Sequence, residues 1–177
     1  MDIAATFMLV AFLGACFAAA TTGALFKPGD WYDRLTKPVW NPPNWLFPIA
    51  WAALYMMMAF AAWLVWRAEG FGWALAAWGL QLVLNAIWSV LFFGIRRLGV
   101  ALAEAVALWF AILACVLLFA PVSTLAAALM LPYLAWVSFA VVLNLTMWRL
   151  NPGPHPWITM AEIKQPPGRA RRRMAQP

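Results

Sequence analysis

Charge is scarce in this chain of 177 residues: Asp, Glu, Lys and Arg together make up 10% of it. A soluble domain carries roughly a quarter, so a water-facing globule is excluded. Histidine is scarcer still. The one histidine, His155, lies in the Asn151–Pro156 turn beyond the last apolar run, which argues against an intramembrane metal or haem ligand. The two cysteines, Cys16 and Cys115, sit inside apolar runs with no neighbouring ligand; they read as packing residues rather than a disulfide or metal site. No HExxH, CxxC, GxGxxG or P-loop pattern occurs and no Ser/His/Asp set converges. Hydrolase and nucleotide-driven chemistry therefore lack their residues, and no metal or resident cofactor is expected.

What the chain has in abundance is apolar residues, 66% of the whole. They fall into five runs, about 3–26, 45–66, 71–93, 98–119 and 122–148. Each has about 20 residues or more, enough to cross a hydrocarbon layer of roughly 30 Å. The expected fold is all-α: a bundle of five transmembrane helices in one domain over 1–151, with a basic, partly disordered tail over 152–177. Short links at Arg67–Gly70, Gly94–Arg97 and Ala120–Pro121 make neighbouring helices antiparallel. Pro132 removes a backbone donor inside the fifth run and predicts a kink there. The first run reads as a span rather than a cleaved leader, because Met1-Asp2 offers no basic start.

With five spans, eleven of the twelve Lys and Arg residues fall on one side and only Arg67 on the other. The positive-inside bias places the C-terminus in the cytoplasm and the N-terminus outside. A helical bundle suits a bacterial inner membrane better than the barrel-dominated outer one. The net charge of +6 is thus a matter of topology, with the 168–173 cluster suited to anionic headgroups, and no nucleic-acid partner is expected.

Between the first two runs lies a stretch crowded with tryptophan and proline, from Trp31 to Pro48. Irregular backbone cannot sit bare in lipid, so this segment reads as a lid over a pocket. Inside the spans the polar groups are amides and indoles. Gln81, Asn85 and Trp88 share one face of the third run, Trp51 and Tyr55 one face of the second, and Trp136, Ala140 and Asn144 one face of the fifth. Two readings stand for Asn85 and Asn144: ties between helices, or polar anchors for a flat ligand. Trp45, Trp63, Trp66, Trp73, Trp148 and Trp157 read as an interfacial belt, whereas Trp51, Trp88 and Trp136 lie deeper and read as pocket walls. Glu104, the one acid well inside a span, is expected to pair with Arg97 or Arg96. Small-residue stripes (Gly72, Ala76, Gly79 on the third run; Ala11, Ala15, Ala19 on the first) suit helix contacts, with the third run favoured as a homodimer seam.

These residues resemble the TspO/MBR family of tryptophan-rich sensory proteins and translocator proteins, also called peripheral benzodiazepine receptors. The matching features are Trp31-Tyr32, Lys37-Pro38, Trp40-Asn41-Pro42-Pro43, and Trp45 through Phe47-Pro48 to Trp51. They continue with Asn85 and Trp88, Phe92-Phe93-Gly94, Pro132-Tyr133 with Trp136, and Leu143-Asn144 with Trp148-Arg149. The resemblance covers about residues 21–151. It implies a five-helix bundle, usually dimeric, with a cytoplasm-facing pocket under the first loop. It also implies ligands such as porphyrins, sterols and synthetic isoquinolines or benzodiazepines, bound as ligands and not as cofactors.

Carried over, the pocket comprises Tyr32, Trp40, Trp51, Asn85, Trp136 and Asn144, with Tyr55, Trp88, Phe92, Phe139, Ala140 and Leu143 as walls. Trp51 and Asn85 match positions that hydrogen-bond a ligand carbonyl. Sterol-binding members carry a tyrosine near the end of the fifth helix; Leu143–Arg149 here has none, so tight sterol binding is not expected. The leading expectation is a receptor or carrier for tetrapyrroles, with Arg34, Lys37, Arg96 and Arg97 available for propionates. The alternatives are an enzyme of light- or oxygen-dependent porphyrin breakdown, with Trp51 and Trp136 as redox-active residues, and a dimeric scaffold switched by ligand.

Overall fold

The computed structural model describes residues 2–26 and 29–152; the basic tail and His155 lie outside them. Asp2 caps the first helix, α1 (Ile3–Leu25), its carboxylate accepting from the Ala4 N–H at 3.1 Å, which satisfies one orphan donor of the first turn. A five-residue helix, α2 (Asp30–Arg34), follows. Pro42 and Pro43 lead into a turn, closed by the Leu46 N–H donating to the Pro43 carbonyl at 3.0 Å, from which α3 (Leu46–Glu69) begins. Pro48 is tolerated there because it occupies the first turn, where its missing N–H has no helical acceptor. Gly70, at φ 75°, ends α3, a conformation that glycine adopts without strain.

After the turn comes α4 (Trp73–Ser89), which passes directly into a π-helical turn at Val90–Gly94. The last two helices are α5 (Leu98–Phe119) and α6 (Thr124–Leu150). Five of these segments are long and apolar enough to cross a membrane, and among the described residues there is no strand. In cross-section the helices form a closed ring in the order α1, α3, α6, α5, α4. The outward faces carry exposed Phe7, Leu80, Val83, Phe110, Leu117 and Leu131, the apolar exterior that a lipid-embedded bundle needs.

Packing is tightest at the end away from the α2 segment. There α3 contributes the fully buried Ala59, Ala61 and Ala62 beside Met58 and Val65, in one cluster with Ile112, Cys115 and Phe119 of α5. Small side chains let backbones approach where lipid gives no hydrophobic drive. Gln81 is wholly buried in this part of the fold with neither amide atom bonded. At the α2 end a second cluster joins Trp31, Tyr32 and Leu35 to Phe92, Leu98, Ala101, Leu143 and Met147.

The five expected runs are the five long helices, with informative differences. The last helix starts at Thr124 rather than 122, because the Ser123 hydroxyl accepts the Ala126 N–H at 3.2 Å and fixes the start. α6 stays helical through Pro132. The Trp/Pro-rich link contains α2, which proline content alone concealed. The expected pairing of Glu104 is not found: both carboxylate oxygens are buried and without a partner, although Arg96 and Arg97 stand at the start of the same hairpin arm. Arg96, at φ 61°, instead turns its guanidinium over the Trp31 ring, 5.8 Å from its centre.

Candidate ligand cavity

Between the two packed clusters lies a cavity of about 940 Å³ bounded by all five long helices and the lid. Its aromatic walls follow from helical periodicity. On α3, Phe47, Trp51 and Tyr55 recur four apart and face inward. Asn85 and Trp88 of α4 and Phe92 of the π turn follow at spacings of three and four, the π turn keeping both Phe92 and Phe93 on the wall; π turns often mark functional sites. On α6, Trp136, Phe139, Ala140, Leu143 and Asn144 complete the lining. Trp88 stacks on Phe92 at 4.9 Å, Trp51 lies 5.5 Å from Tyr55, and Trp136 meets Phe47 edge-on at 5.9 Å. Flat π faces thus border an apolar space, the geometry that accepts a planar ring system.

Polar groups in this space are few. The Tyr55 hydroxyl donates to Asn85 Oδ1 at 2.6 Å, and Asn85 Nδ2 donates to the Tyr133 hydroxyl at 2.9 Å. One of the two Asn85 N–H groups remains for a ligand acceptor. The Trp88 indole N–H is buried and has no partner, so this residue presents its ring rather than its nitrogen to the space. Asn144 is a tie: with its nitrogen toward the Leu98 carbonyl (3.2 Å) and its oxygen toward the Leu102 N–H (3.1 Å), it joins α6 to α5.

The lid is built from ring contacts and one amide clip. Trp31 and Tyr32 are buried; Trp31 meets Phe92 edge-on at 6.0 Å and Tyr32 meets Phe93 at 5.7 Å. Burial raises the Tyr32 phenol above its ordinary range, a hydrogen bond with Asn41 works the other way, and the charge of Asp33 adds to the rise. Lys37 lies over the Tyr32 ring at 4.4 Å and donates to the Asp33 carbonyl at 3.3 Å. At the C-terminal end of α6, the Asn151 side chain grips Thr36: its oxygen accepts the Thr36 N–H and its nitrogen donates to the Thr36 carbonyl, both at 3.0 Å.

Of the residues singled out from sequence, Tyr32, Trp51, Tyr55, Asn85, Trp88, Phe92, Trp136, Phe139, Ala140, Leu143 and Asn144 all line the cavity. Trp40 does not. It is 44% exposed and packs on Phe139 at 5.8 Å from outside the wall. None of Arg34, Lys37, Arg96 or Arg97 lines the cavity either; Lys37 and Arg96 lie over the lid rings Tyr32 and Trp31. Sequence reasoning missed the whole α1 wall (Leu13, Gly14, Phe17 and Ala20 among it), because α1 is apolar on every side and carries no pattern. It also missed Tyr133, whose hydroxyl holds Asn85, and the Asn151 clip.

The model of the TspO/MBR family matches residues 7–149. The chain is 46% identical over 144 residues to the tryptophan-rich sensory protein of Cereibacter sphaeroides, covering 81% of this chain and 91% of that one. It is 43% identical to protein CrtK of Rhodobacter capsulatus, covering 80% and 91%. It is 40% identical over 156 residues to the human translocator protein, covering 83% and 89%. With five apolar helices arranged around an aromatic cavity, this chain is a multi-pass membrane protein and belongs to the TspO/MBR family.

Proposed function

We propose that this protein is an integral membrane receptor or carrier that binds porphyrins and related flat, apolar ligands in its aromatic cavity. The observation that carries this reading is the wall itself: Trp51, Trp88 and Trp136, from three different helices, border one space of about 940 Å³. A porphyrin needs π faces for its macrocycle and cations for its carboxylates. The cavity offers the first, and the rim offers Lys37 and Arg96. Asn85 supplies a donor for a ligand carbonyl or ring acceptor.

The lid end holds Arg34, Lys37, Arg96, Arg97 and Arg149, and Arg67 lies at the other. On the positive-inside bias the lid faces the cytoplasm, in a bacterial inner membrane. The small-residue edge of α4, where Ala76 and Leu80 are exposed beside Gly79, serves as the seam of a homodimer.

The test is tryptophan fluorescence of the purified protein titrated with protoporphyrin IX in the dark, followed by spectra under light. Saturable quenching without a new pigment is the expected result. A new pigment that requires Trp51 or Trp136 favours the degradative enzyme, since both indoles line the same space. No quenching at micromolar porphyrin overturns the reading.

A further inference from the structure

We infer that the cavity exchanges its ligand sideways with the bilayer, through a seam between α1 and α3, while the lid stays shut. The inference rests on the receptor reading above and specifies how its ligand arrives: dissolved in lipid, with its flat apolar body in the hydrocarbon and its charged edge at the level of the lid.

The side wall has a gap. Val10, Gly14 and Phe17 of α1, and Ala52 and Met56 of α3, line the cavity and are also exposed on the outside of the bundle. Exposure reaches 62% at Val10, 73% at Phe17 and 48% at Met56. A side chain can border an interior space and the exterior together only where the wall between them is incomplete. The flanks of the gap are thin as well as apolar: a Cβ placed on Gly14 meets nothing within 4 Å.

The gap is bounded at one end. Trp63 of α3 donates its indole N–H to the Ala5 carbonyl of α1 at 2.8 Å, joining the two helices at the end away from the lid. On the lid side of that tie the exposed lining residues Ala52 and Met56 follow Trp51 and Tyr55 directly in sequence, so the opening lies beside the ring faces proposed to take the ligand. The lining residues of α4, the π turn, α5 and α6 are all buried or half-buried; away from α1 and α3, Asn44 of the lid segment is the exposed lining residue.

The lid, by contrast, is fastened. Opening it breaks both Asn151–Thr36 hydrogen bonds and uncovers Trp31 and Tyr32, which are 7% and 5% exposed. A planar apolar molecule is far more concentrated in lipid than in water, so the open, apolar flank is the path of supply.

The experiment is stopped-flow quenching in proteoliposomes mixed with vesicles preloaded with protoporphyrin IX. Filling the seam by Gly14→Leu together with Ala52→Leu is expected to slow association at least tenfold and to slow release as well. Mere loss of binding contacts would speed release instead. Unfastening the lid by Asn151→Ala is expected to leave both rates within twofold of the parent. If the leucine pair does not fold, Phe17→Cys is treated with a lipid-soluble maleimide. Labelling above the parent, whose Cys16 and Cys115 are buried, that slows when porphyrin is bound is then expected.

Parent-like rates in the filled seam with faster exchange in Asn151→Ala overturn the lateral path and leave the receptor reading intact. Failure to label Phe17→Cys, as a second copy covering the seam would cause, also overturns it. Parent protein that never quenches overturns both.

Discussion

Asn85 donates to the hydroxyl of Tyr133 at 2.9 Å while accepting from the hydroxyl of Tyr55 at 2.6 Å. One amide therefore ties α4 to α6 and to α3 at the cavity wall. A primary amide facing so apolar a space has no solvent to satisfy it. The two phenols keep it satisfied and hold it in one orientation, with an N–H left over. The helix tie and the ligand anchor, which stood as rival readings of Asn85, are compatible in this geometry.

Removing that amide is therefore expected to show in two measurements. Asn85→Ala should lower stability by about 1–2 kcal/mol, from two intramembrane hydrogen bonds lost, and weaken porphyrin binding. Tyr133→Phe should lower stability by about 1 kcal/mol with little change in affinity, since Tyr133 does not line the cavity. Thermal unfolding in detergent and fluorescence titration check the pair. Equal losses of affinity in both variants would contradict this division of roles.

Glu104 gives an expectation of opposite sign. Its two carboxylate oxygens are buried without a partner, an arrangement that is costly in a low-dielectric interior. Glu104→Leu, close in volume, should raise stability by about 1–3 kcal/mol, seen as a higher Tm in detergent or nanodiscs. A lower Tm would mean that the acid is satisfied in the membrane.

Gly94 closes the π turn where no larger residue fits. A Cβ there would lie 2.9 Å and 3.0 Å from two carbons of the Phe26 ring. Gly94→Ala should destabilise by about 1–2 kcal/mol through overpacking. In a double-mutant cycle with Phe26→Ala much of that loss should return. Simple additivity would show that the contact is not the cause.

The lid should loosen in alkali. Burial holds the Tyr32 phenol above its ordinary value of 10.0, against the hydrogen bond from Asn41 and with help from Asp33. A raised phenol is protonated in the folded lid over a range where the unfolded chain has already released its proton. Its contribution is complete below pH 10 or so and is lost as pH rises through the folded value. Limited proteolysis of the lid from pH 8 to 11 should show increased cleavage at the top of the range, with the increase smaller in Tyr32→Phe. Identical profiles would exclude Tyr32 as the titrating group.

The spans were legible because a helix that crosses lipid needs an apolar run of set length, and this chain has five. Most of the cavity wall was legible for a related reason. Aromatic and amide residues spaced three or four apart on α3, α4 and α6 stand out against aliphatic neighbours, and the family resemblance marks the same positions. What could not be read depends on relations between distant parts of the chain. Asn151 and Thr36 are 115 positions apart, and nothing local at either residue announces the other. The π turn adds one residue per turn without a distinctive sequence. α1 contributes a full flank of the cavity from Val10 to Ala24, yet its uniformly apolar sequence hides which side faces in. Trp40 misled because a tryptophan beside prolines suits either face of a lid.

The central claim is that a planar ligand lies among Trp51, Trp88 and Trp136. It is tested most directly by the anomalous diffraction of zinc protoporphyrin in crystals of the complex. The account expects one metal peak inside the cavity, between Trp51 of α3 and Trp136 of α6. A peak confined to the outer surface of the bundle, with the cavity empty, would contradict it.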